Sequence, residues 1–376
     1  MAIKPQEFFN HLASQKVEFF TGVPDSLLKD FCLCIDENVS SHNHVITANE
    51  GNAVALGTGY YLSSKKLPLV YMQNSGLGNA INPLLSLCHQ EVYSVPMLLV
   101  IGWRGEPESK DEPQHLKQGK IQNELLSVMD IPYQVMSSET DDIESMIYKC
   151  CKKAIDESKP VAIVIKKNTF DTYKVDKIPN NKILASREVY LDFILQNIPD
   201  DSVVISTTGK TSREIFEIRY RTSGLHNKDF LNVGAMGHCS SIALGIAISK
   251  PNKKVFCIDG DGALIMHMGN LSTVGYQGPP NFNHILFNNS AHESVGGQET
   301  SANTINFQLL AKSNNYKNFS KISDYKQLKP QFFDFYNKPG PNFLELTIKQ
   351  GAREDLGRPT IDFKESKKAF MNFLDE

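Results

Sequence analysis

At 376 residues the chain is long enough for two domains of about 150 residues and a short remainder, which excludes a single small module. A hydrophobic fraction of 41% and a charged fraction of 22% suit a globular protein and exclude a disordered chain or a coiled-coil rod. With 39 Lys and Arg against 42 Asp and Glu, the net charge of −3 provides no basic field to draw nucleic acid, so any anionic ligand must be held by local groups.

The first half predicts strands at 17–21, 45–48, 67–73, 97–103, 133–135 and 161–165, each a short apolar, β-branched run bounded by turn residues. The second half predicts strands at 203–206, 230–233, 255–258, 285–287 and 343–348. Helix-length segments separate them, the signature of βαβ units and parallel sheets, so the expected fold is α/β with two doubly wound parallel-sheet domains. Between the halves lies a polar, Lys- and Asn-rich stretch without periodicity, which sets domains at 1–167 and 188–376 and a linker at 168–187. No apolar run approaches the ~18 residues of a membrane helix, and the start MAIKPQEFFN is unlike an export signal, so no membrane partner and a cytoplasmic location are expected. The seven cysteines include no CxxC and are expected as reduced, mostly buried thiols.

Open parallel sheets bind ligands beyond the carboxyl ends of their strands, and those tips are polar here. They include Asp25, Asn49-Glu50-Gly51, Gln73-Asn74, Arg104, Thr208-Gly209-Lys210, Gly234 to His238, Gly260-Asp261-Gly262 and Asn288-Asn289. Gly209-Lys210-Thr211 suggests a phosphate loop, but the pattern needs a glycine where Val204 stands. A dinucleotide fingerprint beginning at Gly76 or Gly57 lacks its third glycine, at Ile81 or Leu62. A nucleotide-binding α/β protein is therefore the weaker alternative.

The 255–258 run, Gly260-Asp261-Gly262, a helical stretch, the 285–287 run and Asn288-Asn289 form one βαβ unit. Its strands run parallel, so Asp261 and Asn289 emerge at the same edge. A carboxylate and an amide oxygen there suit a hard cation such as Mg²⁺, with a ligand's phosphates completing its shell.

On these residues the chain resembles the thiamine diphosphate-dependent 2-oxo acid decarboxylases, whose signature is Gly-Asp-Gly followed by Asn-Asn one βαβ unit later. The resemblance implies the thiamine diphosphate-binding fold, with a pyrimidine-binding domain first and a diphosphate-binding domain second. It implies a magnesium ion on Asp261, Asn289 and the Ala291 carbonyl. It also implies diphosphate contacts from Thr208, Gly209, Gly260, Gly262 and Ala263, with Lys210 as an addition. Met236 would bend the cofactor, the Gly234 carbonyl would accept from its 4′-amino group, and Glu50 would hydrogen-bond the aminopyrimidine and so activate the thiazolium carbon. The family shares its cofactor between protomers, so a homo-oligomer, at least a dimer, is expected.

Within the family, the blocks Thr21 to Ser26, Gln73 to Asn79, Gly102 to Gly105, Asp111 to His115 and His292 to Gln298 are similar to the branch acting on acidic 2-oxo acids. Phosphonopyruvate is the expected small-molecule substrate and sulfopyruvate the alternative. A three-oxygen anion calls for cationic donors, with Arg the better match. Arg104 is the first candidate, then Lys110, Lys117 and Lys120, with Asp25 and Gln114 completing the substrate contacts. Asp25 matches an active-site aspartate of the family. His115 falls where relatives carry a histidine pair, with Gln114 replacing the other member. Val295 stands where longer relatives place a glutamate, which leaves His292 or Glu293 as the substitute.

Overall fold

The computed structural model of the chain describes residues 2–175 and 184–376. They fall into two units, Met1–Ile178 with Val295–Gln298, and Pro179–Ser294 with Glu299–Glu376. The first unit is built on β1 (Phe20–Gly22), β2 (His44–Ile46), β3 (Leu69–Gln73), β4 (Met97–Gly102), β5 (Tyr133–Met136) and β6 (Pro160–Ile165). The second is built on β7 (Val203–Ser206), β8 (Asp229–Leu231), β9 (Val255–Gly260), β10 (Phe282–Asn288), β11 (Asn318–Ile322) and β12 (Asn342–Thr347).

Every strand pair is parallel, in the orders β2-β1-β3-β4-β6-β5 and β11-β12-β10-β9-β7-β8. Counted from its own first strand, each sheet therefore has the same wiring, although no sequence repeat links the halves. In both, the chain leaves the first strand toward one side and returns on the other. A crevice opens there at the carboxyl edge, between β1 and β3 and between β7 and β9.

The apolar runs form central strands because both faces are covered. Along β4, Leu98 and Val100 face one core while Met97, Leu99 and Ile101 face another. Along β9 and β10, Val255, Cys257 and Leu286 face one side, and Phe256, Ile258, Ile285 and Phe287 the other. The period of two is the pleat of a strand.

The expected α/β class and doubly wound parallel sheets are what the structure shows. β11 is an addition to the expected strands. Its sequence, Asn-Phe-Ser-Lys-Ile, alternates because it lies at the sheet edge beside β12, with Ile322 buried and Lys321 exposed, so it carries no continuous apolar run. The single helical stretch expected after Asp261 is two helices, Asp261–Met266 and Asn270–Gln277.

Residues 176–183 of the expected linker lie outside the described residues. Its first residues pack on the first unit: Phe170 pairs with Ile3, and its ring lies 5.3 Å from Phe8 and 5.8 Å from Phe31. Among the described residues no helix is long and apolar enough to cross a membrane.

Candidate active site

In the first unit, Asp25 follows β1 and is fully buried. The Leu27 N–H donates to its Oδ2 at 3.0 Å and the Gln73 amide to its Oδ1 at 2.6 Å. Ser75 donates to Gln73 Oε1 at 2.8 Å, which fixes the orientation of that amide. Gly102, ending β4, makes the room, since a Cβ there would overlap Asp25 Oδ2. Burial raises the Asp25 carboxyl above the ordinary range, and the bonds from Gln73 and Leu27 and the charge of Arg104 offset only part of that rise.

Glu50 is the first residue of the helix Glu50–Ser64, which Asn49 caps by accepting from the Asn52 N–H. Such a cap is worth about 1 kcal/mol and fixes where the helix begins, and with it the position of Glu50. The carboxylate is 5% exposed and accepts from Asn79 Nδ2 at 2.7 Å. Gly76 lies against it, close enough that a Cβ would sit 2.5 Å from Glu50 Cδ.

Arg104 follows β4 and is bidentate with Asp111, with Nε to Oδ2 at 2.8 Å and Nη2 to Oδ1, while Nη1 donates to Ser26 Oγ at 2.9 Å. Asp111 also accepts from the Gly105 N–H at 2.8 Å. Asn74 clamps the Arg104 backbone, donating to its carbonyl at 2.7 Å. His115 is half-buried, and burial together with the Arg104 charge holds its imidazole below the ordinary value. Gln114 Oε1 is buried without a hydrogen-bond partner among the described residues, whereas Lys110, Lys117 and Lys120 are exposed. Asp25, Arg104 and His115 thus gather around Asp111 and Gln73, while the three lysines are exposed.

In the second unit, β9 and β10 are neighbours with Gly260 opposite Phe287, so Asp261 and Asn289 leave the same edge. Asp261 is 3% exposed and accepts from the Thr300 hydroxyl, and the backbone N–H groups of Asn289 and Gly262 favour its charge. Burial outweighs these influences and pushes its carboxyl up to about 6. Asn289 donates through Nδ2 to Glu293 at 2.7 Å, and its Oδ1 accepts from the Ala291 N–H at 3.0 Å.

Glu293 in turn accepts from Lys210 at 2.9 Å and Arg187 at 3.3 Å, and these charges hold it below the ordinary carboxylate range. Arg187 is bidentate with the buried Glu214 at 2.7 and 2.9 Å. Removing one member of such a buried pair costs about 3–5 kcal/mol, because the other charge is left without compensation. His292 lies over Gly262, where a Cβ would come 3.1 Å from its ring, and burial lowers its imidazole to about 4.

Thr208 and Gly209 lie in the turn after β7, with Gly209 at φ +91° opening the helix Lys210–Thr222. The Gly234 N–H donates to Asn232 Oδ1 at 3.3 Å. Met236 is half-buried between Ala235 at φ +49° and Gly237 at φ +84°. A Cβ on Gly237 would lie 2.6 Å from the His267 ring. Ala263 is buried in the first turn after Asp261, and Gly260 is open apart from one contact with Thr207.

This donor set fits a magnesium ion and a diphosphate. Asp261 is a desolvated carboxyl with no Lys, Arg or His in ion-pair range among the described residues, and the Asn289 amide oxygen adds a second hard ligand. Thr207 Oγ1 and Asn232 Nδ2 are buried at the same edge without hydrogen-bond partners among the described residues, as groups awaiting an oxygen-rich ligand would be. Sequence reasoning gave no part to Asn232, Thr300, Arg187 or Glu214. The spacing of Lys210 and Glu214, one helical turn, is the available signal that they share a face.

Comparison with known proteins agrees with this reading. Two family models match, "Thiamine pyrophosphate enzyme, N-terminal TPP binding domain" over residues 6–131 and "Thiamine pyrophosphate enzyme, C-terminal TPP binding domain" over residues 208–346. A phosphonopyruvate decarboxylase of Streptomyces viridochromogenes is 29% identical, over 94% of this chain and 90% of its own. A sulfopyruvate decarboxylase of Methanosarcina acetivorans is 24% identical, over 99% of this chain and 98% of its own. A sulfopyruvate decarboxylase subunit beta of Methanothermobacter thermautotrophicus is 30% identical, over 48% of this chain and 90% of its own.

Proposed function

We propose that this chain, which belongs to the thiamine pyrophosphate enzymes, is a magnesium-dependent decarboxylase converting phosphonopyruvate to phosphonoacetaldehyde and CO₂. The observation that carries the reading is the placement of Asp261 and Asn289 at the same edge, on the tips of the neighbouring strands β9 and β10. Asp261, Asn289 and the Ala291 carbonyl would hold the ion, with Thr207, Thr208 and Gly209 toward the diphosphate. Thiamine diphosphate supplies an electron sink for the pair left on carbon when CO₂ departs.

The remaining work falls to side chains. Glu50, held by Asn79, would hydrogen-bond the aminopyrimidine nitrogen and hold or yield the proton there. The product needs one proton on the carbon that lost CO₂. Asp25 is suited to deliver it, because its raised carboxyl keeps a proton to higher pH than an ordinary aspartate. Solvent would return the proton to Asp25, and His115, half-buried beside Arg104 and Asp111, would line the same wall. Arg104, rigid in its pair with Asp111, offers Nη1 to a phosphonate oxygen in place of Ser26. Glu293 positions Asn289 and is not the proton donor, since three donors already occupy its carboxylate.

Sulfopyruvate is the second reading, supported by the sulfopyruvate decarboxylase similar to the chain along its whole length. Turnover of phosphonopyruvate, sulfopyruvate and pyruvate, side by side with saturating cofactor and magnesium, tests the choice. The expected kcat/KM is highest for phosphonopyruvate, and a preference for pyruvate would end the proposal. The working unit is a homo-oligomer, at least a dimer. Leu56 and Leu62, exposed on the glycine-rich helix Glu50–Ser64, support that reading, and activity that falls on dilution below the dimer's dissociation constant would test it.

A further inference from the structure

The second unit also buries a cluster of ligating side chains that the reaction does not use. Cys257 and Asp259 lie two residues apart on β9 and so face the same side of the sheet. His284 on β10 is the register partner of Cys257. Cys239 opens the helix Cys239–Ser249 and packs into the same core as Cys257. None of the four is more than 1% exposed.

One ligating atom from each of Cys257, Asp259 and His284 lies within 4.8 Å of the other two, and Cys239 Sγ is 3.6 Å from Cys257 Sγ. Asp259 Oδ2 and His284 Nε2 are 3.6 Å apart, and both are buried without a hydrogen-bond partner among the described residues. At 3.6 Å the two stand at ion-pair distance yet too far apart for a direct hydrogen bond, so a cation held between them would satisfy both. Their sister atoms are engaged: Asp259 Oδ1 accepts from the Gly260 N–H at 2.9 Å, and His284 Nδ1 meets the Tyr316 hydroxyl at 3.1 Å. That is how the outer shell of a metal site orients its ligands.

The separations also fit one ion. Around tetrahedral zinc, with bonds of about 2.3 Å to sulfur and about 2.0–2.1 Å to nitrogen or oxygen, neighbouring ligand atoms stand about 3.3–3.8 Å apart. The sulfur pair and the nitrogen–oxygen pair, each at 3.6 Å, fall within that span. We propose that Cys239, Cys257, Asp259 and His284 bind a thiophilic divalent cation of the zinc type, a closed structural site that ties β9, β10 and the covering helix together. Thiolate and imidazole ligands select such a cation over magnesium, whereas the oxygen donors of Asp261 and Asn289 do the opposite.

Element analysis of the purified full-length protein after exhaustive dialysis against EDTA tests this. The expected result is about one zinc retained per chain, as a four-ligand site requires, and released by a mercurial that caps the thiolates. Expression in cobalt-supplemented minimal medium is expected to give the visible bands of tetrahedral cobalt with thiolate charge transfer. Cys257→Ser is expected to lose the metal and Asp261→Ala to keep it. Wild-type protein without thiophilic metal and without a cobalt spectrum overturns the proposal whether or not the variants fold. Zinc lost in Asp261→Ala but kept in Cys257→Ser overturns it equally.

Discussion

Asn289 and Glu293 lock each other: the Asn289 amide cannot flip without breaking its 2.7 Å bond to Glu293 and its 3.0 Å bond from the Ala291 N–H together. Arg187 and Lys210 fix Glu293 from the other side. The orientation of the amide oxygen is therefore set by four side chains, of which Asn289 alone would touch the ion. Glu293→Ala is expected to weaken magnesium binding by ~10–100-fold while kcat at saturating metal falls far less. Calorimetric titration with magnesium in the presence of thiamine diphosphate measures it, and an unchanged affinity would remove the positioning role.

Glu50→Gln preserves shape and removes the ionisable group. Cofactor affinity is expected to stay within a few-fold, while hydrogen–deuterium exchange at the thiazolium carbon slows by ~10²–10⁴-fold, the usual worth of a positioned acid–base group. Exchange at the wild-type rate would refute the role given to Glu50.

Gly76 tests the same carboxylate from the outside. A Cβ there would lie 2.5 Å from Glu50 Cδ, so Gly76→Ala must push the acid away from Asn79. A misplacement of about 1 Å can cost ~10²-fold in rate, and a loss of that order is expected with the circular dichroism spectrum unchanged. Full activity would mean that the carboxylate can move without consequence.

Arg104→Lys keeps the charge but loses the fork that grips Asp111 and Ser26. The KM for phosphonopyruvate is expected to rise ~10-fold or more, as when a charge-assisted bidentate contact is lost, and the KM for pyruvate, which has no phosphonate, to change little. Equal effects on both substrates would show that Arg104 supports the loop rather than the phosphonate.

Asp25 carries a pH signature. Its folded carboxyl binds a proton more tightly than the unfolded one, because burial raises it. Its contribution to stability is therefore complete below the unfolded value and is lost as the pH rises through the raised folded value. Asp25→Asn lacks that loss, so its melting temperature relative to wild type is expected to climb as the pH goes from acid to neutral. A difference that stays constant with pH would mean the buried carboxyl does not titrate out of range.

The positions of Asp25, Glu50, Arg104, Asp261 and Asn289 were legible because each directly follows an apolar run, and topology alone carries such residues to the carboxyl edge. Their partners were not legible, because contact depends on packing between segments remote in sequence. Arg187 meets Glu214 across 27 positions and Glu293 across 106. Glu293, singled out for proton delivery by its neighbourhood in the chain, is instead held in that ionic network. β11 escaped for a different reason: a half-solvated edge strand does not look like the buried strands beside it.

Among the described residues each sheet is complete within its own unit. Severing the backbone anywhere from 176 to 183 would thus leave all twelve β-segments with their original neighbours.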